Sequence, residues 1–137
     1  MGEVTYLLDT NVLLRYLMND HPEHSAAAKR LIEDAGSGRV ALHVPLIAVA
    51  EAIFTLQRFY RVAREDVGRE MLKVLTGPGI KCVGPGWTLE AVEEYRTRNV
   101  SFGDACLAAE ARVEGLAIAS FDRGLDWFVG VRRVEPK

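Results

Sequence analysis

Short apolar runs alternate with helix-length segments along this chain, and that rhythm admits few folds. Val4 to Leu8 is rich in strand formers and nearly continuous in hydrophobicity, the pattern of a strand covered on both faces in a parallel sheet. Val40 to Val44, Ile80 to Val83, Leu116 to Ser120 and Val131 to Val134 read as further strands. Between them, Val12, Leu13, Tyr16 and Leu17 recur at helical spacing. His24 to Ala35 reads as a second helix stopped by Gly36-Ser37-Gly38, and Pro45 opens a third that runs to about Tyr60. Arg64 to Leu75, Leu89 to Arg98 and Ser101 to Glu114 supply the remaining helices. Gly77-Pro78-Gly79 and Gly84-Pro85-Gly86 break the chain around the third strand. Strands separated by helices predict a three-layer α/β fold with right-handed crossovers.

A chain of 137 residues, 49% hydrophobic, suits a single domain over 1–137 with one core. Its net charge of -2 is too low to coat nucleic acid by charge alone, so any such contact must be local. Cys82 and Cys106 have no second thiol or histidine at ligand spacing and read as buried free thiols of a reducing compartment. The longest apolar run, Val44 to Ala50, falls far short of the ~20 residues of a membrane span. The opening MGEVTYLLD, with its early Glu3, lacks the basic and apolar regions of a secretory signal. A soluble, cytoplasmic protein is expected.

Four acids stand where acids are disfavoured. Asp9 follows the first strand and precedes a helix, so it sits at the carboxyl end of a parallel strand, where such sheets place ligands; a helix cap is its structural alternative. Glu51 is the one charge between Pro45 and Phe54, with Ile47 and Phe54 on its helical face. A buried carboxylate costs several kcal/mol unless it is protonated, paired or bound to a cation; a structural pairing would use an arginine such as Arg15. Asp104, three residues after Ser101, fits a capping box, and Leu107, Ala108 and Ala111 place it on an inward-facing stripe of small residues. Asp122 lies just past the fourth strand, on the sheet edge of Asp9, with Asp126 one turn further on as a backup ligand. Carboxylates gathered this way repel one another and call for a hard divalent cation, Mg²⁺ or Mn²⁺. Such an ion acidifies water and stabilises a transferred phosphoryl group, which points to phosphodiester hydrolysis.

Leu7-Leu8-Asp9-Thr10-Asn11-Val12-Leu13-Leu14, Ala48-Val49-Ala50-Glu51, Phe102-Gly103-Asp104-Ala105 and Ala119-Ser120-Phe121-Asp122 together resemble the PIN-domain ribonucleases in order and spacing. The resemblance spans nearly the whole chain and is nearest to VapC-type toxins of toxin–antitoxin pairs. It implies a five-stranded parallel sheet flanked by helices, with Asp9, Glu51, Asp104 and Asp122 as the acidic metal-site residues of an RNA-cleaving endonuclease. Thr10, Asn11 and Ser120 match polar positions that orient ligands or water. It also implies a homodimer, and a small VapB-type antitoxin whose C-terminal segment enters the active-site groove. His43 and Gly124-Leu125-Asp126 depart from the family's pattern, and the second departure bears on the roles of Asp122 and Asp126.

Arg58, Arg61, Arg64, Arg69 and Lys73 form the densest basic stretch; Arg15, Arg58, Arg61 and Arg123 are the candidate RNA contacts. Phe59 and Tyr60 read as core or interface aromatics rather than base-stacking ones. A haloacid-dehalogenase-type phosphatase would need an acid at position 11, where Asn11 stands, and a receiver domain an acidic pair after the first strand. A housekeeping PIN nuclease and a catalytically inactive PIN-fold binding module are the alternatives within the family.

Overall fold

Residues 4–137 are described by a computed structural model, in which parallel strands and helices alternate. Glu3, on which the reading of the N-terminus leans, lies outside them. Strand β1 (Val4–Leu7) runs into α1 (Thr10–Met18), and α2 (Pro22–Gly36) returns to β2 (Val40–Pro45). Helices α3 (Leu46–Arg58) and α4 (Arg64–Leu75) lead to β3 (Ile80–Val83), followed by α5 (Thr88–Thr97) and α6 (Phe102–Glu114). The chain closes with β4 (Ile118–Ala119), a 3-10 turn at Arg123–Trp127, and β5 (Arg133–Val134). Among the described residues no helix is long and apolar enough to cross a membrane.

The strands form two parallel sheets rather than one. In the first, β2 is central, with Leu7 beside His43 on one side and Leu42 beside Ile80 on the other. His43 is thus a mid-sheet residue, its carbonyl accepting the Leu8 N–H at 2.8 Å. The second sheet pairs Ile118 with Arg133. The expectation of a five-stranded sheet is therefore corrected to three strands plus two. So is that of a first strand covered on both faces, because Val4, Tyr6 and Leu7 are exposed. Two-residue strands, one of them carrying Arg133, have little ladder to offer beyond each other. Peptide alternation leaves both sheets with an open edge: Leu8 bonds β2, so the Thr5 and Leu7 amides face away from it. Ile118 and Ser120 donate to Arg132 and Val134, so the Ala119 amide faces away from β5.

Two starts fix the positions of later importance. Pro45 ends β2 and directly precedes α3 with φ −76°, so strand passes into helix without a loop. Helix α2 has Pro22 in its first turn and His21 as its cap, with His21 Nδ1 accepting the His24 N–H at 3.1 Å. The main core gathers Leu8, Leu13, Leu42, Val44, Val49, Ile53, Met71, Val92 and Tyr95, all almost wholly buried. A smaller cluster of Ala108, Ala111, Ile118, Leu125 and Phe128 seats the β4–β5 unit on α6. Cys82 and Cys106 are free and half-buried, and burial pushes both thiols up, Cys106 to about 11.

Gly79 makes the tightest junction. Its φ is +77°, a Cβ there would lie 2.2 Å from the Ala35 carbonyl oxygen, and its own carbonyl accepts the Leu42 N–H at 2.8 Å. The end of α2, the start of β3 and the middle of β2 thus meet on one residue that only glycine fits. Gly79→Ala is expected to lower unfolding stability by ~1–3 kcal/mol, read as an earlier urea midpoint at unchanged slope.

Candidate active site

Asp9 stands between β1 and α1 with extended geometry, φ −83° and ψ 152°, yet its side chain makes no capping bond. The capping role is unused, and the carboxylate faces a cleft of about 240 Å³ that Glu51 also lines. Thr10, first in α1 and 8% exposed, places its Oγ1 a long 3.5 Å from Glu51 Oε2. Asn11 cannot share that direction, because successive helical residues point about 100° apart. It lies in the α1–α2 cleft with Arg15 and His24.

Glu51 is exposed, which corrects the expectation of burial. Helix α3 is apolar nearly all round: Ala48, Val49, Ala52, Ile53 and Leu56 face the core, while Ile47 (64% exposed) and Phe54 (61%) flank Glu51 on the outer face. Absence of charge therefore marked a helix with two apolar faces, one of them uncovered. Arg15 pairs with Asp20 at 3.1 Å instead of with Glu51.

Asp104 and Asp122 form a second pair. The Ser101 Oγ accepts the Asp104 N–H at 3.0 Å, so the capping pattern is real and coexists with a carboxylate that faces Asp122. Partial burial first, and then the neighbouring Asp122 carboxylate, hold the Asp104 carboxyl above the usual range. Asp122 is held by two hydrogen bonds. Its N–H donates to the Ser120 hydroxyl at 3.0 Å and its Oδ1 accepts the Gly124 N–H at 2.8 Å. A Cβ at Gly124 would come within 3.0 Å of that same Oδ1, which is why a glycine follows so closely. Asp126 instead takes both ends of the Arg133 guanidinium, at 3.0 and 3.2 Å, and is held below the carboxylate range by it. Of the two aspartates left open in the sequence, Asp122 is the one beside Asp104.

The clefts of the two pairs adjoin one groove. A depression of about 890 Å³ between α3 and the start of α6 shares Glu51 with the Asp9 cleft, and Asn99, Val100 and Ser101 with the Asp104–Asp122 cleft. Carboxylates with hydroxyls beside them are the donors a hard divalent cation takes, and the repulsion that lifts Asp104 is what such an ion relieves. Among the described residues, however, no three His, Cys, Asp or Glu side chains converge closely enough to hold an ion. The structure thus brings the acids together as pairs and not as a set.

Two residues of the basic stretch, Arg64 and Arg69, are spoken for, as is Arg96 beyond it. Arg64 donates to the Tyr95 and Val100 carbonyls and lies over the Tyr95 ring. Arg69 pairs with Asp66, and Arg96 with Glu65 and Glu93. Among the described residues Arg58, Arg61 and Arg123 have no acidic partner within 4.0 Å. The residue that sequence reasoning passed over is Phe54, which lines the groove; its signal was its place one turn after Glu51 and one turn before Arg58.

Parallel strands that deliver Asp9 and Asp122 beyond their carboxyl ends, with Glu51 and Asp104 on adjoining helices, agree with a match to the PIN domain over residues 6–128; the chain belongs to that family. PIN domains are typically metal-dependent nucleases. The chain is also similar to a VapC ribonuclease of Aquifex aeolicus (strain VF5), 26% identical over 118 residues, which cover 85% of this chain and 87% of the relative.

The lifted Asp104 carboxyl has a definite sign. Because its folded value exceeds the unfolded one, its contribution to stability is fully present below the unfolded value near 3.8 and is lost as pH rises through the folded value. In chelator, the melting temperature of Asp104→Asn minus that of the parent is therefore expected to grow from pH 4 to pH 7. A pH-independent difference would remove the repulsion argument.

Proposed function

We propose that this chain is a Mg²⁺- or Mn²⁺-dependent endoribonuclease that hydrolyses RNA phosphodiester bonds, the toxin of a toxin–antitoxin pair. Asp9, Glu51, Asp104 and Asp122 are the residues that would hold the metal. The observation that carries this reading is that the clefts of both acid pairs adjoin a single groove, through Glu51 on one side and Asn99 to Ser101 on the other. When bound, the cation supplies positive charge against the phosphate and makes an attacking water more acidic. The chain's own residues supply position: the Thr10 hydroxyl beside Glu51, the Ser120 hydroxyl and Gly124 N–H around Asp122, and Arg58 in the groove.

The similarity to a VapC ribonuclease supports the toxin assignment, and with it a homodimer and a small VapB-type antitoxin whose C-terminal segment enters the groove. A small upstream reading frame that overlaps or abuts this one accompanies a toxin; a processing nuclease lacks it.

The purified protein is expected to cut RNA internally with added Mg²⁺ or Mn²⁺, to stop on chelation, and to lose at least ~100-fold in rate as Asp9→Ala. Cleavage by that variant in excess chelator would sink the proposal.

A further inference from the structure

Phe54 is a large aromatic left 61% exposed on the outer face of α3, and the Arg58 guanidinium carbon lies 5.2 Å from its ring centre. We propose that this ring and guanidinium form the platform on which an unpaired base of the substrate RNA stacks next to the cut site; the inference rests on the endoribonuclease reading and names the substrate as single-stranded.

Position carries the first part of the argument. Phe54 lies three residues after Glu51, so their Cβ atoms are about 5–6 Å apart on one helix face, within reach of the base attached to a phosphate held at the acids. Both line the groove that links the acid pairs, with Ser101 and Gly103 on its opposite side. A strand running between the pairs passes the ring. Charge carries the second part. Carboxylates repel RNA, so binding needs cations that are not already paired, and Arg58 has no acidic partner within 4.0 Å among the described residues. Arg64, in the same groove, is consumed by the Tyr95 and Val100 carbonyls. A guanidinium over an exposed aromatic suits a π-faced, phosphate-linked ligand. An apolar peptide would use the ring and gain nothing from the cation. Stacking on a protein ring requires a base free of its own partner, which selects single strands over duplex.

The test uses the full chain carrying Asp9→Asn, to prevent turnover, and a mixed-sequence single-stranded RNA of about a dozen nucleotides, with Mg²⁺ present. Phe54→Leu, which keeps the apolar surface and removes the π-face, is expected to weaken binding about tenfold. Phe54→Trp is expected to retain affinity, and its emission, after subtraction of that from Trp87 and Trp127, to be quenched as RNA binds. Phe54→Leu binding as tightly as its parent overturns the proposal, as does an indole emission of Phe54→Trp that stays unmoved at saturating RNA. So does a halving of the mass of Phe54→Leu in light scattering with RNA affinity unchanged, which assigns this face to a contact between proteins. If the parent itself does not bind RNA, the endoribonuclease reading fails first and the platform falls with it.

Discussion

Helix α6 is packed on two sides at once. Phe102, Ala105 and Ala109 close the main core, while Ala108 and Ala111 receive Ile118, Leu125 and Phe128 of the β4–β5 unit. Only small side chains let a helix be approached so closely from both directions, which accounts for the run of alanines better than helix propensity does. Because the same helix carries Asp104 in its first turn, the packing that joins the two clusters also sets one acid pair against the other. Arg64 steadies the arrangement from outside: by tying the Tyr95 and Val100 carbonyls together, it fixes the segment that leads into the Ser101 cap.

The acids are held by unlike means. Asp104 and Asp122 sit on defined hydrogen bonds and repel each other, whereas Asp9 and Glu51 share a cleft whose one polar link is the long contact from Thr10. The second pair has more hydrogen bonds to the backbone around it than the first, and Asp104 carries both a burial cost and the repulsion of Asp122. A cation therefore has most to gain at Asp104 and Asp122, where it relieves a repulsion already present.

The helices and the three longer strands were legible because each is set by local signals: Gly36 to Gly38 after α2, Pro45 before α3, Ser101 before α6. Sheet pairing was not, since it depends on edges meeting across the whole chain, and two-residue strands such as Ile118–Ala119 leave little periodicity to read. The candidate acids were picked out by type and order, and the structure places them as two pairs. Their partners were less legible. Asp126 looked interchangeable with Asp122 until Arg133 was seen to occupy it, and Arg15 looked available to Glu51 until Asp20 claimed it. Glu51 shows the limit most clearly, because a charge-free helix reads the same whether its second apolar face is covered or bare.

The open edge of β1 also bears on how the chain survives its own folding. Val4, Tyr6 and Leu7 are exposed apolar residues on a strand whose Thr5 and Leu7 amides face away from β2, the kind of surface on which strands of other chains add and aggregates begin. A second open edge, at Ala119, belongs to the separate β4–β5 sheet. The β1 edge is thus a template for intermolecular pairing, and expression at high concentration selects for whatever reaches it first.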